Sequence, residues 1–148
     1  MPQEPDFPDH IAHTPVYVVP YHALDPWQPN DTDAHFITLG WSQWDGDELS
    51  AKVVRRSDKR WSRQSEELPL PRVIDLAILI GLAFGEEDGL VQIEAGTFEN
   101  QTAPIKVAHG SKRDRMAATN DLRSDEIMKS RLTALYNVLK PIHDKGLI

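Results

Sequence analysis

Lys52, Arg55, Arg56, Lys59, Arg60 and Arg63 fall within twelve residues that hold a single acid, Asp58. The segment carries +5 in a chain whose formal charge is −7, so the remainder carries −12. So uneven a distribution creates a local positive field that draws phosphates and carboxylates. Trp61 lies among these charges and offers a flat stacking face. Guanidinium groups grip phosphate in a planar, bidentate way, and an indole stacks a base. The chemistry expected of Arg60, Trp61 and Arg63, with Lys52 and Arg56 beside them, is recognition of a small anionic, nucleotide-like ligand. The competing expectation is a solvated sheet face whose arginines pair with Glu66, Glu67, Glu86 and Glu87.

His109-Gly110-Ser111-Lys112-Arg113 reads as a second basic segment, a glycine-containing loop. Gly110 lets backbone N–H groups approach an anion, and Lys112 and Arg113 add donors to the same ligand set. The phosphate-loop pattern G-x-x-x-x-G-K-[ST] is absent. His22, Asp25, Asp31, Asp33 and His35 have the atom types of metal ligands, but their spacing matches no metal motif. Turns and caps account better for aspartates in so proline-rich a stretch, and no metal or cofactor is expected. Asp75 interrupts an apolar run. An ion pair with Arg72, three residues back, is favoured over a role in acid–base chemistry.

No nucleophile elbow, zinc-protease helix or dinucleotide fingerprint occurs, and there is no cysteine. The favoured expectation is a small non-catalytic binding protein with Arg60, Trp61, Arg63, Lys112 and Arg113 as ligand contacts and no catalytic residues. One alternative is a small hydrolase of phosphorylated substrates using His109, Asp75 or the Asp31/Asp33 pair. Another is a protein-interaction module anchored by Trp27 and Trp44.

The elements that must carry these residues follow from hydrophobic period. Residues 1–14 read as a flexible, acidic, proline-rich tail, and 15–148 as a single α+β domain. Val16–Val19 is a strand between Pro15 and Pro20, suited to a sheet edge. Residues 21–34 form a long loop. Residues 36–44 and 48–56 form a hairpin whose apolar sets share a face only if Trp41 pairs with Leu49, Leu39 with Ala51 and Ile37 with Val53. That register predicts a three-residue loop, Trp44-Asp45-Gly46, with Gly46 left-handed. A more polar third strand is expected over 61–66. Pro69 and Pro71 open a buried helix that runs to Phe84 and stops at Gly85. Short strands are expected at 91–95 and 105–108. A last helix starts from Ser124 as N-cap and ends near Pro141. Its stripe of Met128, Leu132, Leu135, Leu139 and Ile142 reads as core, although a homodimer would use the same pattern. The fold expected is a small antiparallel sheet with a buried central helix and a C-terminal amphipathic helix.

Trp61-Ser62-Arg63-Gln64-Ser65-Glu66-Glu67-Leu68-Pro69-Leu70, leading into Arg72-Val73-Ile74-Asp75-Leu76-Ala77, resembles a family of small bacterial proteins known only as a domain of unknown function. Asn30-Asp31-Thr32-Asp33-Ala34 and the hairpin extend the likeness, which covers about half of the chain. The resemblance implies a bacterial or phage-like source and brings no activity.

Forty per cent apolar residues suffice for one core, and a quarter charged is ordinary for a soluble protein. The acidic pI of about 5.3 argues against nucleic acid as a partner. The start of the chain, with four prolines up to Pro15, lacks the basic and apolar parts of a signal peptide. The longest apolar run, residues 73–84, is too short for a membrane span. Without cysteine, a cytoplasmic location is expected.

Overall fold

Strand alternation sets the central hairpin. The computed structural model describes residues 6–8, 13–25, 28–57, 59–62 and 70–148. Its main sheet runs β1 (Thr14–Pro20), β2 (Ala34–Trp41), β3 (Leu49–Ser57) and β4 (Arg60–Trp61) in chain order. Each strand is antiparallel to its neighbour. Ile37 pairs with Val53, Leu39 with Ala51 and Trp41 with Leu49, the register that the apolar pattern demands.

The turn differs from expectation. Ser42 still bonds to Glu48, but Glu48 N–H donates to the Asp45 carbonyl, and Gly46 is not left-handed. Side chains close this turn: Ser42 Oγ donates to the Asp45 carbonyl at 2.6 Å, and Asp45 Oδ1 accepts from Asp47 N at 2.9 Å. These bonds hold a wider loop, so no positive φ is needed. Gly40 is the glycine the sheet requires. It lies opposite a bulge between Pro15 and Tyr17, where a Cβ would run into the Thr14 carbonyl.

Helix α1 (Leu70–Gly85) packs on the sheet, followed by β5 (Gln92–Ile93) and β6 (Ile105–Lys106), which pair with each other. Val18 N–H donates to Val107 O and His109 N–H to Val16 O, so the chain after β6 lines the outer edge of β1. α2 (Lys112–Ser124) and α3 (Glu126–Asp144) complete the α+β architecture. The core joins Tyr17, Val19, Ile37 and Leu39 of the sheet to Leu79 and Ala83 of α1 and to Ala118 and Leu122 of α2. In α1 the deepest stripe is Arg72, Asp75, Leu79 and Ala83, at helical spacing, while Val73 and Ile74 face outward.

Helix α2 replaces the expected basic loop. Its start is a capping box: Ser111 Oγ accepts from Asp114 N at 3.1 Å, and Asp114 Oδ2 accepts from Ser111 N. One extended residue, Asp125, ends α2 and caps α3, taking the N-cap role expected of Ser124. Pro141 lies inside α3 rather than at its end. The helix continues three residues beyond it, where losing one N–H costs little cooperativity. No residue of α3 is fully buried, so the expected core stripe lies mostly on the surface.

Candidate functional site

The cationic run straddles β3 and β4, and strand alternation divides it. Arg55 turns to one side, where Nη1 donates to Asp33 Oδ2 at 3.1 Å and Nη2 to Ser62 Oγ at 3.0 Å. Arg56 turns to the other and lies over the Trp61 ring, 5.3 Å from its centroid, across the β3–β4 pair. This outer face of the sheet has its own apolar cluster of Val18, Phe36 and Val54, with Phe7 and Trp61 packed on it. Arg60 is exposed beside Trp61. Among the described residues, no ion pair holds Arg56 or Arg60. Arg63 lies outside the described residues, as do Trp27, Glu66 and Glu67.

Rings connect this patch to the second basic segment. Trp61 meets Phe36 at 6.0 Å between centroids, Phe36 meets Phe7 at 5.3 Å, and Phe7 meets His109 at 5.5 Å. His109 stands just ahead of α2, where Lys112 and Arg113 are exposed in the first turn. Both basic segments thus flank one aromatic layer, separated by three ring-to-ring steps. Gly110 has φ +81°, as an approach loop needs, but the Asp114 carboxylate already takes the Ser111 N–H. Lys112 and Arg113 oppose the positive end of the helix dipole and have no ion-pair partner among the described residues.

The expected loose tail contributes to this layer: Phe7 packs on it, and Pro8 and His13 are buried. His13 Nε2 is 2.9 Å from Thr38 Oγ1, whose own proton goes to the Lys52 carbonyl at 3.1 Å. Nε2 is therefore the donor, and Nδ1 accepts from Ser50 Oγ at 3.2 Å. Burial first, and the Lys52 charge second, lower the imidazole pKa to about 4. Burial also lowers the Lys52 pKa.

The other concentration of charge is internal. Arg72, at the start of α1, donates from Nε and Nη2 to Asp25 Oδ2 at 3.1 and 3.0 Å. Its Nη2 also reaches Thr32 Oγ1 and lies 3.5 Å from Asp33 Oδ1. The expected Arg72–Asp75 pair does not form. Asp75 instead accepts from Tyr21 OH at 2.5 Å, because the 21–34 loop supplies partners to both residues. Burial raises the Asp75 pKa against the opposing pull of the Tyr21 bond. Burial and the same bond hold the Tyr21 phenol above its ordinary range. His22 and His35 stack at 4.4 Å, and among the described residues no three His, Asp or Glu gather as metal ligands. The network ties a long loop to a helix, with its charges paired inside the protein.

A cavity of about 510 Å³ opens elsewhere, between the hairpin turn and the α2–α3 junction. Its apolar lining includes Leu39, Leu49, Ile80, Leu122 and Met128. Asp45, Asp47, Glu48, Asp121 and Asp125 also line it, so it repels the anionic ligand expected from the sequence. No sequence motif announced it, since its acids come from two distant segments.

Among the described residues no helix is long and apolar enough to cross a membrane. No curated protein matches the chain. No solved structure matches it. A family match does extend over residues 6–144, through the hairpin, the buried network and all three helices. The chain belongs to the Family of unknown function (DUF6530).

Proposed function

We propose that this is a small cytoplasmic, non-catalytic binding protein for an anionic, nucleotide-like ligand carried on the outer face of the sheet. The observation that supports this reading is the set Arg56, Arg60, Lys112 and Arg113. Arg56 lies over Trp61 at one end of the aromatic layer, Arg60 is exposed at the adjoining β3–β4 turn, and Lys112 and Arg113 follow His109 at the other end; none of the four has a carboxylate partner among the described residues. Cations concentrated on one part of an acidic protein create a local positive field that draws an anion. Arg56, over Trp61, and Arg60, at the adjoining turn, neutralise phosphate from the two sides of the strand rim, and the Trp61 ring edge packs a planar group. Lys112 and Arg113 meet the far end of an extended ligand, or a second anion.

Isothermal titration with inorganic phosphate, AMP and ATP at 50 and 200 mM salt tests the reading. The expected order is ATP above AMP above phosphate, with affinity falling as salt rises. Arg60→Ala is expected to weaken ATP binding about tenfold, as loss of one charge-assisted bond does, and to flatten the salt slope. Absence of saturable binding by all three probes at millimolar concentration would sink the proposal. Wild-type affinity and slope in Arg60→Ala would remove Arg60 from the site.

A further inference from the structure

Helix α3 has nineteen residues and none of them is fully buried. Its apolar residues nonetheless follow a seam: Met128, Leu132, Leu135, Leu139 and Ile142 recur at alternating four- and three-residue steps, the spacing of a coiled-coil stripe. Of these five only Met128 packs against the core. Leu135 and Leu139 are 41% and 42% exposed, and Tyr136 and Val138 between them are 60% and 61% exposed. A run of exposed apolar residues therefore extends from the midpoint of the stripe toward its C-terminal end. A helix that faced only water would carry polar residues there.

We propose that this face is covered by a second copy of the chain, with the two α3 helices antiparallel and Leu135 at the two-fold axis. Reflected about that residue, the apolar positions face one another to within one residue. Met128 then meets Ile142 of the other copy, and Leu132 meets Val138 with Leu139 next to it, as an isologous interface requires. Charge selects the antiparallel direction. Glu126 is paired with Lys129 and Lys140 with Asp144 inside α3, which leaves Asp121 and Asp125 at the α2–α3 junction and Lys145 at the other end of the helix. A parallel pair would set like charges together, and an antiparallel pair sets Lys145 against Asp121 and Asp125. Neither Asp121 nor Lys145 has an ion-pair partner among the described residues.

The acid-lined cavity lies at the place this arrangement needs. It sits at the N-terminal end of the stripe and has Met128, Asp121 and Asp125 in its wall. The opposing end of α3 brings Lys145 and the exposed Leu147 over it. A cation and an apolar side chain match its acidic and apolar lining.

Absence of cysteine makes the test clean. Sedimentation of the full chain at about 100 μM is expected to give twice the 16.7 kDa chain mass. Leu135→Glu is expected to give the monomer with unchanged helical circular dichroism, since the residue is partly exposed. Leu135→Cys is expected to cross-link into a disulfide dimer under mild oxidation. Ile142→Cys is not, because in an antiparallel pair the two sulfurs start about 20 Å apart, at about 1.5 Å of rise per residue. A monomeric wild-type chain would overturn the proposal and leave the face to a different protein. A dimer that survives Leu135→Glu would place the interface elsewhere. Cross-linking at both cysteine positions would make the pair parallel and overturn the arrangement.

Discussion

Arg72 and Arg60 are the same residue type in opposite situations. Arg72 is 5% exposed, and its guanidinium is spent on Asp25 and Thr32, with Asp33 close by. Arg60 stands open beside Trp61, with no ion pair among the described residues. Neighbouring residues repeat the contrast: Arg55 bonds to Asp33 and Ser62, whereas Arg56 covers an aromatic ring. In this chain a cation's function is read from what it pairs with rather than from its place in a charge run. The paired arginines fasten the 21–34 loop to the sheet and α1, and those without an ion pair among the described residues are the ones proposed to meet a ligand.

The sharpest way to break the comparison is to remove one partner on each side. Asp25→Ala leaves the Arg72 guanidinium buried with its main acceptor gone. The expected cost is about 3–5 kcal/mol of unfolding free energy, read from urea melts. Arg60→Ala is expected to leave the melt unchanged while reducing ligand affinity. A loss below about 1 kcal/mol in Asp25→Ala would mean that water or a moved side chain replaces Asp25, and the network would no longer count as a fastening.

Next in size is a response to acid. His13 is neutral in the folded protein down to about pH 4, while an unfolded histidine takes a proton near 6.5. Between those values the unfolded chain binds more protons, so stability falls as pH falls from about 6.5 to about 4. The full shift corresponds to about 3 kcal/mol. Asp75 acts in the opposite direction, since its raised pKa means that protonation in acid favours the fold. Urea melts at pH 7 and pH 4.5 are expected to differ more for the wild type than for His13→Gln. An equal difference in both proteins would place the acid sensitivity elsewhere.

The fold was legible where period and register agree. Ile37, Leu39 and Trp41 found their partners because a slip of one residue would turn each of them to the other face. Helix α2 was not legible from apolar spacing: Lys112-Arg113-Asp114-Arg115 opens it with four charged residues. The signal it did give was Ser111 followed three residues later by Asp114, a capping pair with Asp in place of the usual Glu or Gln. The Arg72–Asp25 pair spans 47 residues and joins a helix to a loop, so no local pattern encodes it. The expected alternative, Arg72 with Asp75, was local and attractive, but Tyr21 and Asp25 compete for those two residues from the loop. Of the expected ligand residues, Trp61 joins the aromatic layer beneath Arg56, its partner on β3, whereas Arg60 is the next residue of β4 and alternation turns it from that face. His109, ahead of Lys112 and Arg113, reaches the same layer through Phe7, a relation set by the chain crossing the edge of β1.

The smallest effect tests whether Arg56 belongs wholly to the open set. Its guanidinium over Trp61 forms a cation–π contact that is worth about 0.5–1 kcal/mol at a partly exposed site. Arg56→Ala is therefore expected to lower stability by about that amount and also to weaken ATP binding, whereas Arg60→Ala lowers only the affinity. Arg56→Lys keeps the charge but loses the planar overlap, so it is expected to recover part of the affinity and little of the stability. Affinity losses in the two alanine variants that add independently would assign Arg56 and Arg60 separate contacts with the ligand. A loss of affinity in Arg56→Ala that Trp61→Ala abolishes would instead make Arg56 a positioning residue, acting through the ring it covers. The line between paired and unpaired cations would then pass through β3, with Arg55 on one side of it and Arg60 on the other.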